Sequence, residues 1–164
     1  MRDARALVAD IYARHAASVY RRALSILDND AEANEVLQDV FVSLLERPQQ
    51  FAGRSQVSTF LYSATTHLCL NRLRNQRNRA RLLQERGGAA VVRAAAEPDQ
   101  MARVRETLRL LPEPLAEVAV YYFVDELDHR EIAEVLGCSR QRVGRLIERL
   151  HEWGRAQEAA CSAE

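Results

Sequence analysis

Apolar residues recur every three to four positions along almost the whole chain, which is the spacing that places them on one face of an α-helix. Strict alternation of apolar and polar residues, which is typical of strands, is nearly absent. The pattern therefore predicts an all-α fold. A first apolar stripe, ended by the turn-forming Asp28, Asn29 and Asp30, comprises Leu7, Ile11, Tyr12, Ala16, Val19, Ala23 and Leu27.

A second stripe predicts a helix that ends before Pro48, because the residue preceding a proline disfavours helical geometry. Its apolar residues are Val36, Leu37, Val40, Phe41, Leu44 and Leu45. After the loop PQQFAGRS, a third helix is expected to begin near Ser58. Further along, Asp99 is a candidate N-cap of a helix, and Pro114 stands near the first position of another.

The segment RGGAAVVRAAAEP interrupts this helical pattern, since Gly87 and Gly88 break a helix and the Ala-rich remainder offers little side chain to pack. The sequence therefore predicts two small helical domains joined by a flexible linker. The first domain is expected at residues 1–78, a helix tail and linker at 79–98, the second domain at 99–155 and a C-terminal tail at 156–164.

Composition changes this picture little. The 164 residues carry 23 basic and 23 acidic side chains, so net charge gives no argument for nucleic acid. Every basic residue is Arg, which a genome rich in G and C would produce without selection, although Arg also suits phosphate and guanine. Three distant cysteines indicate neither a disulfide framework nor a zinc site, and no apolar run is long enough for a signal peptide or membrane span. A cytoplasmic protein with no metal or cofactor and no membrane insertion is expected.

The stretch REIAEVLGCSRQRVGRLIERL, residues 130–150, has the features of a helix-turn-helix. Asp128 and Glu131 have capping-box spacing, Gly137 stands where the chain must turn with positive φ, and Ser139 is placed to cap the second helix. In that helix Val143 begins an inward apolar stripe. The outward side is basic, and the candidate DNA contacts are Ser139, Arg140, Gln141, Arg142, Arg145 and Arg149. The alternative is an ordinary helical hairpin whose second helix is incidentally basic.

Two longer stretches resemble a known family. AEANEVLQDVFVSLLERPQQFAGRSQVSTFLYSATTHLCLNRLR closely resembles region 2 of bacterial RNA polymerase sigma factors, in the extracytoplasmic-function (ECF) group that keeps only regions 2 and 4. LPEPLAEVAVYYFVDELDHREIAEVLGCSRQRVGRLIERL resembles region 4 of the same family. The resemblance covers nearly the whole chain in the right order, with a linker where the family has one.

This resemblance implies roles for residues of the first domain. The segment E-V-L-Q-D matches the part of the family that grips the β′ clamp helices of core RNA polymerase, so Glu35, Gln38 and Asp39 are the expected polymerase contacts. The loop F-A-G-R-S matches the segment that captures an unpaired base of the minus-10 element, and the arginine-rich helix after it suits a strand backbone. The expected minus-10 contacts are Phe51, Gly53, Arg54, Ser55, Asn71, Arg72, Arg74 and Arg77.

The resemblance implies an alternative sigma factor in which region 4 reads the minus-35 element of promoter DNA and touches the β flap, under control by an anti-sigma factor. The chain departs from the family's common residues at three places, which limits how far the family's residue roles apply to it. Thr59-Phe60 stands where many members have Thr-Trp, and Glu126 stands where many have Gly. Arg142-Val143-Gly144-Arg145 stands where Thr-Val-Lys-Ser is common. The promoter sequence is therefore not transferable. A stand-alone helix-turn-helix regulator is the rival function. An enzyme is disfavoured, since the chain lacks a Gly-rich phosphate loop, a metal-ligand cluster and a nucleophile-base spacing.

Overall fold

The computed structural model of the chain describes residues 2–46, 57–87 and 100–162, and these ranges are helical almost throughout, which confirms the all-α prediction. The elements are α1 (Arg2–Leu27), α2 (Asp30–Glu46), α3 (Val57–Glu85), α4 (Gln100–Leu110), α5 (Glu113–Ala119), a π-helical turn (Val120–Val124), α6 (His129–Leu136) and α7 (Arg140–Cys161). Across the same ranges no helix is both long enough and apolar enough to cross a membrane. The candidate cap Asp99 lies outside the described residues.

The chain divides into two compact units, Met1–Glu106 and Thr107–Glu164. Their boundary falls inside α4, whereas the sequence places the start of the second domain at residue 99, and that finer boundary stays a prediction. Within the first unit, Arg105 of α4 donates a 3.2 Å hydrogen bond to the carbonyl oxygen of Ile26 and lies 3.3 Å from the carboxylate of Asp28. The middle of α4 is thereby tied to the end of α1.

The first unit is built on α1, α2 and α3, which share one apolar core. Its most completely buried side chains include Ala23, Ala33, Val36, Cys69 and Leu73. Asp28 reverses the chain between α1 and α2 with a φ of 53°, a left-handed conformation that Asp tolerates better than most residues. The helices therefore run antiparallel and place their apolar stripes against each other.

Three residues predicted to face this core are exposed instead: Leu7, Tyr12 and Leu45. Leu7 lies near the start of α1 and Leu45 near the end of α2, so both stand at the same end of the antiparallel pair. Tyr12 covers one edge of the core by packing its ring against Phe41 with centroids 4.8 Å apart. The apolar stripe read from the sequence is wider than the face that helix packing covers.

The second unit is built mainly on α5, α6 and α7. Pro112 is the N-cap residue of α5 and Pro114 stands in its first turn, as the sequence predicts. After α5 the chain widens into the π-helical turn, where the amide of Asp125 donates to the carbonyl oxygen of Val120 at 3.0 Å. Glu126 then takes a φ of 56°, which turns the chain into α6. This widened turn was not predicted from the sequence.

Candidate nucleic-acid and polymerase interface

The turn geometry predicted for residues 130–150 is confirmed. Asp128 accepts hydrogen bonds from the amides of Arg130 (2.7 Å) and Glu131 (2.8 Å), and the Glu131 carboxylate accepts one from the Asp128 amide (2.8 Å). Gly137 follows α6 with φ 61° and ψ 37°, the left-handed conformation that glycine adopts without strain. Ser139 caps α7 by accepting from the amide of Arg142 at 3.2 Å.

These backbone hydrogen bonds also set the charge at the start of the hairpin. The amides of Glu131 and Arg130, which point at the Asp128 carboxylate, lower its pKa below the usual value, and the nearby Arg130 and Arg140 side chains act in the same direction. Asp128 is therefore a titratable cap, and it carries its negative charge over the whole neutral range.

The helix α7 is anchored by one buried stripe, consisting of Val143, Leu146, Ile147 and Leu150. With about 100° between successive residues, the direction opposite this stripe is that of Gln141, Arg145 and Glu148. Arg142 and Arg149 lie at the edges of the same exposed face. The predicted outward side is thus a single surface, and it contains an acid, Glu148, that sequence reasoning left out.

Two predicted DNA contacts lie apart from the centre of that face. Ser139 has its hydroxyl engaged as the cap of α7, which gives it a role in positioning the helix. Arg140 lines an open cleft of about 460 Å³ at the start of the hairpin. The other residues of this cleft are Tyr122, Asp128, His129 and Arg130. Tyr122, His129 and Arg130 were missed because they are scattered over two elements that only the turn at Glu126 brings together.

On α2 the predicted polymerase contacts Glu35, Gln38 and Asp39 are all exposed, on the side opposite the buried stripe. Two of them share a partner, because Arg72 of α3 reaches across to both carboxylates. Its Nη1 lies 2.5 Å from Oε2 of Glu35 and its Nη2 lies 2.7 Å from Oδ2 of Asp39. The structure thus joins a predicted minus-10 residue to two predicted polymerase residues.

The same cluster extends along α3. The Gln76 amide nitrogen lies 2.7 Å from both carboxylate oxygens of Glu32, in an open cleft of about 340 Å³ between α2 and α3. Partial burial lowers the pKa of Arg72, but the hydrogen bonds and negative charges of Glu35 and Asp39 outweigh this, so its pKa lies above the usual value. The two acids therefore add to the stabilisation of a cation that arginine already carries at ordinary pH.

The arginines of α3 divide between two faces. At about 100° per residue, Arg74, Arg77 and Arg81 follow one strip of the helix, while Arg72 and Arg79 point roughly the opposite way and line the cleft with α2. The predicted contact Asn71 accepts a 3.2 Å hydrogen bond from Arg74. The remaining predicted minus-10 contacts, Phe51, Gly53, Arg54 and Ser55, lie outside the described residues.

Possible metal ligands and the buried cysteine of the first unit complete the description of these residues. Its His, Cys, Asp and Glu side chains form no group of three that could hold a metal ion. Cys69 is fully buried in the core of the first unit, and burial raises the pKa of its thiol to about 12 despite the opposing influence of Arg22 and Arg72. Cys69 thus behaves as a core residue.

Comparisons with known proteins find matches in both compact units of the chain. The family described as Sigma-70 region 2 matches residues 11–79, and the family described as Sigma-70, region 4 matches residues 101–150. The chain is 26% identical to the ECF RNA polymerase sigma factor SigW of Bacillus subtilis (strain 168) over 163 residues, covering 91% of this chain and 84% of that protein. A chain in a solved structure of the sigma factor RpoE in complex with the anti-sigma factor NepR, from Bartonella quintana, aligns with a TM-score of 0.49 and 17% identity over 87% of this chain and 91% of the matched chain.

The two family matches together span both compact units. A stand-alone helix-turn-helix regulator would account for the second match alone, so the match to region 2 argues against that alternative. The chain therefore belongs to the sigma-70 family of RNA polymerase sigma factors, with the region 2 and region 4 of its ECF group.

Proposed function

We propose that this ECF sigma factor, which directs promoter-specific initiation by core RNA polymerase, holds promoter DNA at two points and the polymerase at a third. In this proposal α7 reads the minus-35 element, the loop before α3 and one strip of α3 hold the minus-10 element, and the exposed face of α2 binds the β′ clamp helices. The contacts of α7, of the α3 strip and of α2 are each supported by a different feature of the described residues.

The observation that carries the minus-35 proposal is the exposed face of α7. Gln141, Arg142 and Arg145 are exposed in the first two turns of a capped helix, and the first turns of such a helix are the part that enters a major groove. Arg and Gln side chains pair with guanine and adenine edges, respectively. The buried stripe beginning at Val143 fixes the rotation of the helix, and with it the direction of these side chains.

The minus-10 proposal is supported by the strip of Arg74 and Arg77, two cations about one turn apart on α3. Arginines at this spacing suit successive phosphates of a strand. The base-capturing role of Phe51, Gly53, Arg54 and Ser55 rests on the family resemblance alone. Contact of region 4 with the β flap rests on the same resemblance, as does action in the cytoplasm, where promoter DNA and polymerase meet.

The polymerase proposal is supported by three exposed polar residues on one face of α2: Glu35, Gln38 and Asp39. A partner that masks these surfaces, an anti-sigma factor, is also proposed from the family resemblance. The related sigma factor RpoE of Bartonella quintana has been solved with such a partner, NepR.

Runoff transcription with purified core polymerase on genomic fragments tests the two-point arrangement. Wild-type protein is expected to direct initiation at discrete start sites. On a promoter found in this way, Arg142→Ala with Arg145→Ala is expected to abolish dependence on the minus-35 sequence while core binding stays at the wild-type level. Glu35→Gln with Asp39→Asn is expected to weaken core binding. Unchanged transcription in both double variants would overturn the residue assignments.

A further inference from the structure

The guanidinium of Arg72 is shared between two carboxylates of another helix. Glu35 and Asp39 are four residues apart and therefore neighbours on one face of α2. Arg72 gives one terminal nitrogen to each, at 2.5 Å and 2.7 Å. A planar guanidinium carries its donors in a fixed geometry, so binding both acids at once also fixes the distance between them.

The two acids are more exposed than the arginine that binds them, so they are accessible to a partner. Arg72 is 25% exposed and lies close to the helix surfaces, whereas Glu35 is 61% exposed and Asp39 53% exposed. Each carboxylate gives one oxygen to Arg72, and within the described ranges its second oxygen has no partner. Two oriented acceptors therefore remain on the outside of α2.

The position of Arg72 on α3 separates it from the arginines assigned to DNA. It points into the cleft with α2, roughly opposite to the strip of Arg74 and Arg77. A phosphate that approached the two bound terminal nitrogens of Arg72 would meet the carboxylates of Glu35 and Asp39, which would repel it. The first domain thus contains one arginine whose surroundings suit an acid-ordering role and not a DNA contact.

We propose that Arg72 is a positioning residue for polymerase docking: its guanidinium holds Glu35 and Asp39 in the arrangement that the polymerase binds. This inference rests on the proposed role of these two acids. It revises the expectation that Arg72 touches the minus-10 element.

Two opposing effects decide whether replacement of Arg72 weakens or strengthens binding to core polymerase. Ordering a mobile side chain on binding costs roughly two- to tenfold in affinity, and Arg72 orders two of them in advance. Its positive charge also repels a cationic partner of the acids, but an interaction between exposed, salt-screened charges changes affinity by only about 1.5-fold to fivefold. The gain in affinity from ordering Glu35 and Asp39 is larger than the loss from repulsion of the partner. Removal of the Arg72 guanidinium is therefore expected to weaken polymerase binding.

The experiment measures the affinity of the full chain for core polymerase without DNA. Arg72→Ala is expected to weaken binding by roughly threefold to tenfold. Arg72→Lys keeps the charge but presents a single ammonium group instead of a fork, so it is expected to restore only part of the loss. Arg14→Ala is the matched control, because it removes an exposed ion pair with Asp10 on α1 and is expected to leave core affinity unchanged. Wild-type affinity of both Arg72 variants would overturn the inference.

A double-mutant cycle distinguishes positioning from general loosening of the fold. In a background of Glu35→Gln and Asp39→Asn, Arg72→Ala is expected to have no further effect on core affinity, whereas an equal loss in both backgrounds would show that Arg72 acts without the acids. If the background variant itself binds core normally, the proposed role of the acids fails. If the background variant weakens core binding but Arg72→Ala does not, only the inference about Arg72 fails.

The third measurement uses promoter DNA and the holoenzyme. The salt dependence of promoter binding is expected to be the same for wild type and Arg72→Ala, since no phosphate contact is lost. A fall in the slope of log affinity against log salt by about 0.7–0.9 would show a phosphate contact at Arg72 and would overturn the inference.

Discussion

The guanidinium carbon of Arg22 in α1 lies 3.6 Å from the centre of the Tyr62 ring in α3. Its Nε also donates a 2.8 Å hydrogen bond to the hydroxyl of Thr66, one turn further along α3. Arg22→Ala removes both contacts and is expected to lower the free energy of unfolding of the first unit by about 2 kcal/mol. Urea unfolding followed by far-UV circular dichroism measures the change.

Arg21 provides the control for this prediction. It is exposed on the same helix, and its one side-chain hydrogen bond within the described ranges goes to the Ser18 hydroxyl at 3.3 Å, so Arg21→Ala is expected to change stability by less than about 0.5 kcal/mol. Equal destabilisation by the two substitutions would mean that loss of any arginine from α1 matters, and the contact with Tyr62 would then have no special weight.

Gly144 lies in the second turn of α7, inside the helix, where glycine disfavours helical structure by about 0.8–1.0 kcal/mol relative to alanine. A Cβ added there would meet no atom within 4 Å, and the same holds for Gly154 in the same helix. Gly144→Ala and Gly154→Ala are therefore each expected to raise the free energy of unfolding of the second unit by about 0.5–1 kcal/mol. The fluorescence of Trp153, the one tryptophan of the chain, reports this transition.

Additivity of the two substitutions is the accompanying check. The double variant is expected to gain about the sum of the single gains, since the two sites are nearly three turns apart. A loss of stability at Gly144 with a gain at Gly154 would mean that close packing, and not helix propensity, determines the residue at 144.

Glu126 holds a φ of 56° between the π-helical turn and α6, a conformation that costs a residue with a Cβ about 1–2 kcal/mol. Glu126→Gly relieves this strain but gives the unfolded chain more freedom, so the expected net gain is up to about 1 kcal/mol. Chemical denaturation monitored through Trp153 measures it. Glu126→Ala removes the carboxylate but keeps the backbone strain. If Ala raised the free energy of unfolding as much as Gly does, the gain would come from loss of the charge and not from relief of the strain.

The hairpin around Gly137 was predictable because its signals are local. A cap, an acid three residues later and a glycine at the turn act through hydrogen bonds within a few residues, and the structure has each of them where the sequence places it. The left-handed conformation of Glu126 was not predictable from its own side chain. Only the departure from the family's glycine at this position pointed to it.

The pairing of Arg72 with Glu35 and Asp39 lies beyond sequence reasoning for a physical reason. The acids and the arginine are more than thirty positions apart, and their contact depends on how α2 and α3 are rotated about their own axes. Counting arginines along α3 treats them as one basic surface. Helix geometry separates them into two, and only the packing of α3 against α2 decides which strip remains exposed.

The cap at Asp128 predicts a dependence of stability on pH. Hydrogen bonds from the amides of Glu131 and Arg130 lower the pKa of its carboxyl in the folded state. A lowered pKa stabilises the fold fully above the unfolded-state value, about 3.9, and this contribution is lost as the pH falls through the folded-state value. Asp128→Asn keeps a capping oxygen without a titrating group. The stability difference between wild type and Asp128→Asn is therefore expected to shift against wild type between about pH 5 and pH 3.

Urea unfolding at several pH values, followed by Trp153 fluorescence, measures this difference. Glu134→Gln is a useful comparison, because Glu134 lies on the same helix and pairs with Arg130 on the surface instead of capping the helix. A stability difference between wild type and Asp128→Asn that stays constant from pH 7 to about pH 3 would rule out Asp128 as the titrating cap.

Two arginines of α7 are expected to respond differently to salt and to sequence. Arg145 lies near the centre of the exposed face and Arg142 at its edge, close to where the groove walls carry phosphates. Arg142→Ala is expected to weaken holoenzyme binding on all promoters and to lower the slope of log affinity against log salt by about 0.9. Arg145→Ala is expected to keep the slope and to lose about 1–3 kcal/mol of discrimination at one minus-35 base pair.

Arg155→Ala, farther along the same helix and exposed, is the control and is expected to change neither quantity. The reverse assignment, a slope change at Arg145 and a specificity change at Arg142, would mean that α7 enters the groove rotated from the direction that its buried stripe sets.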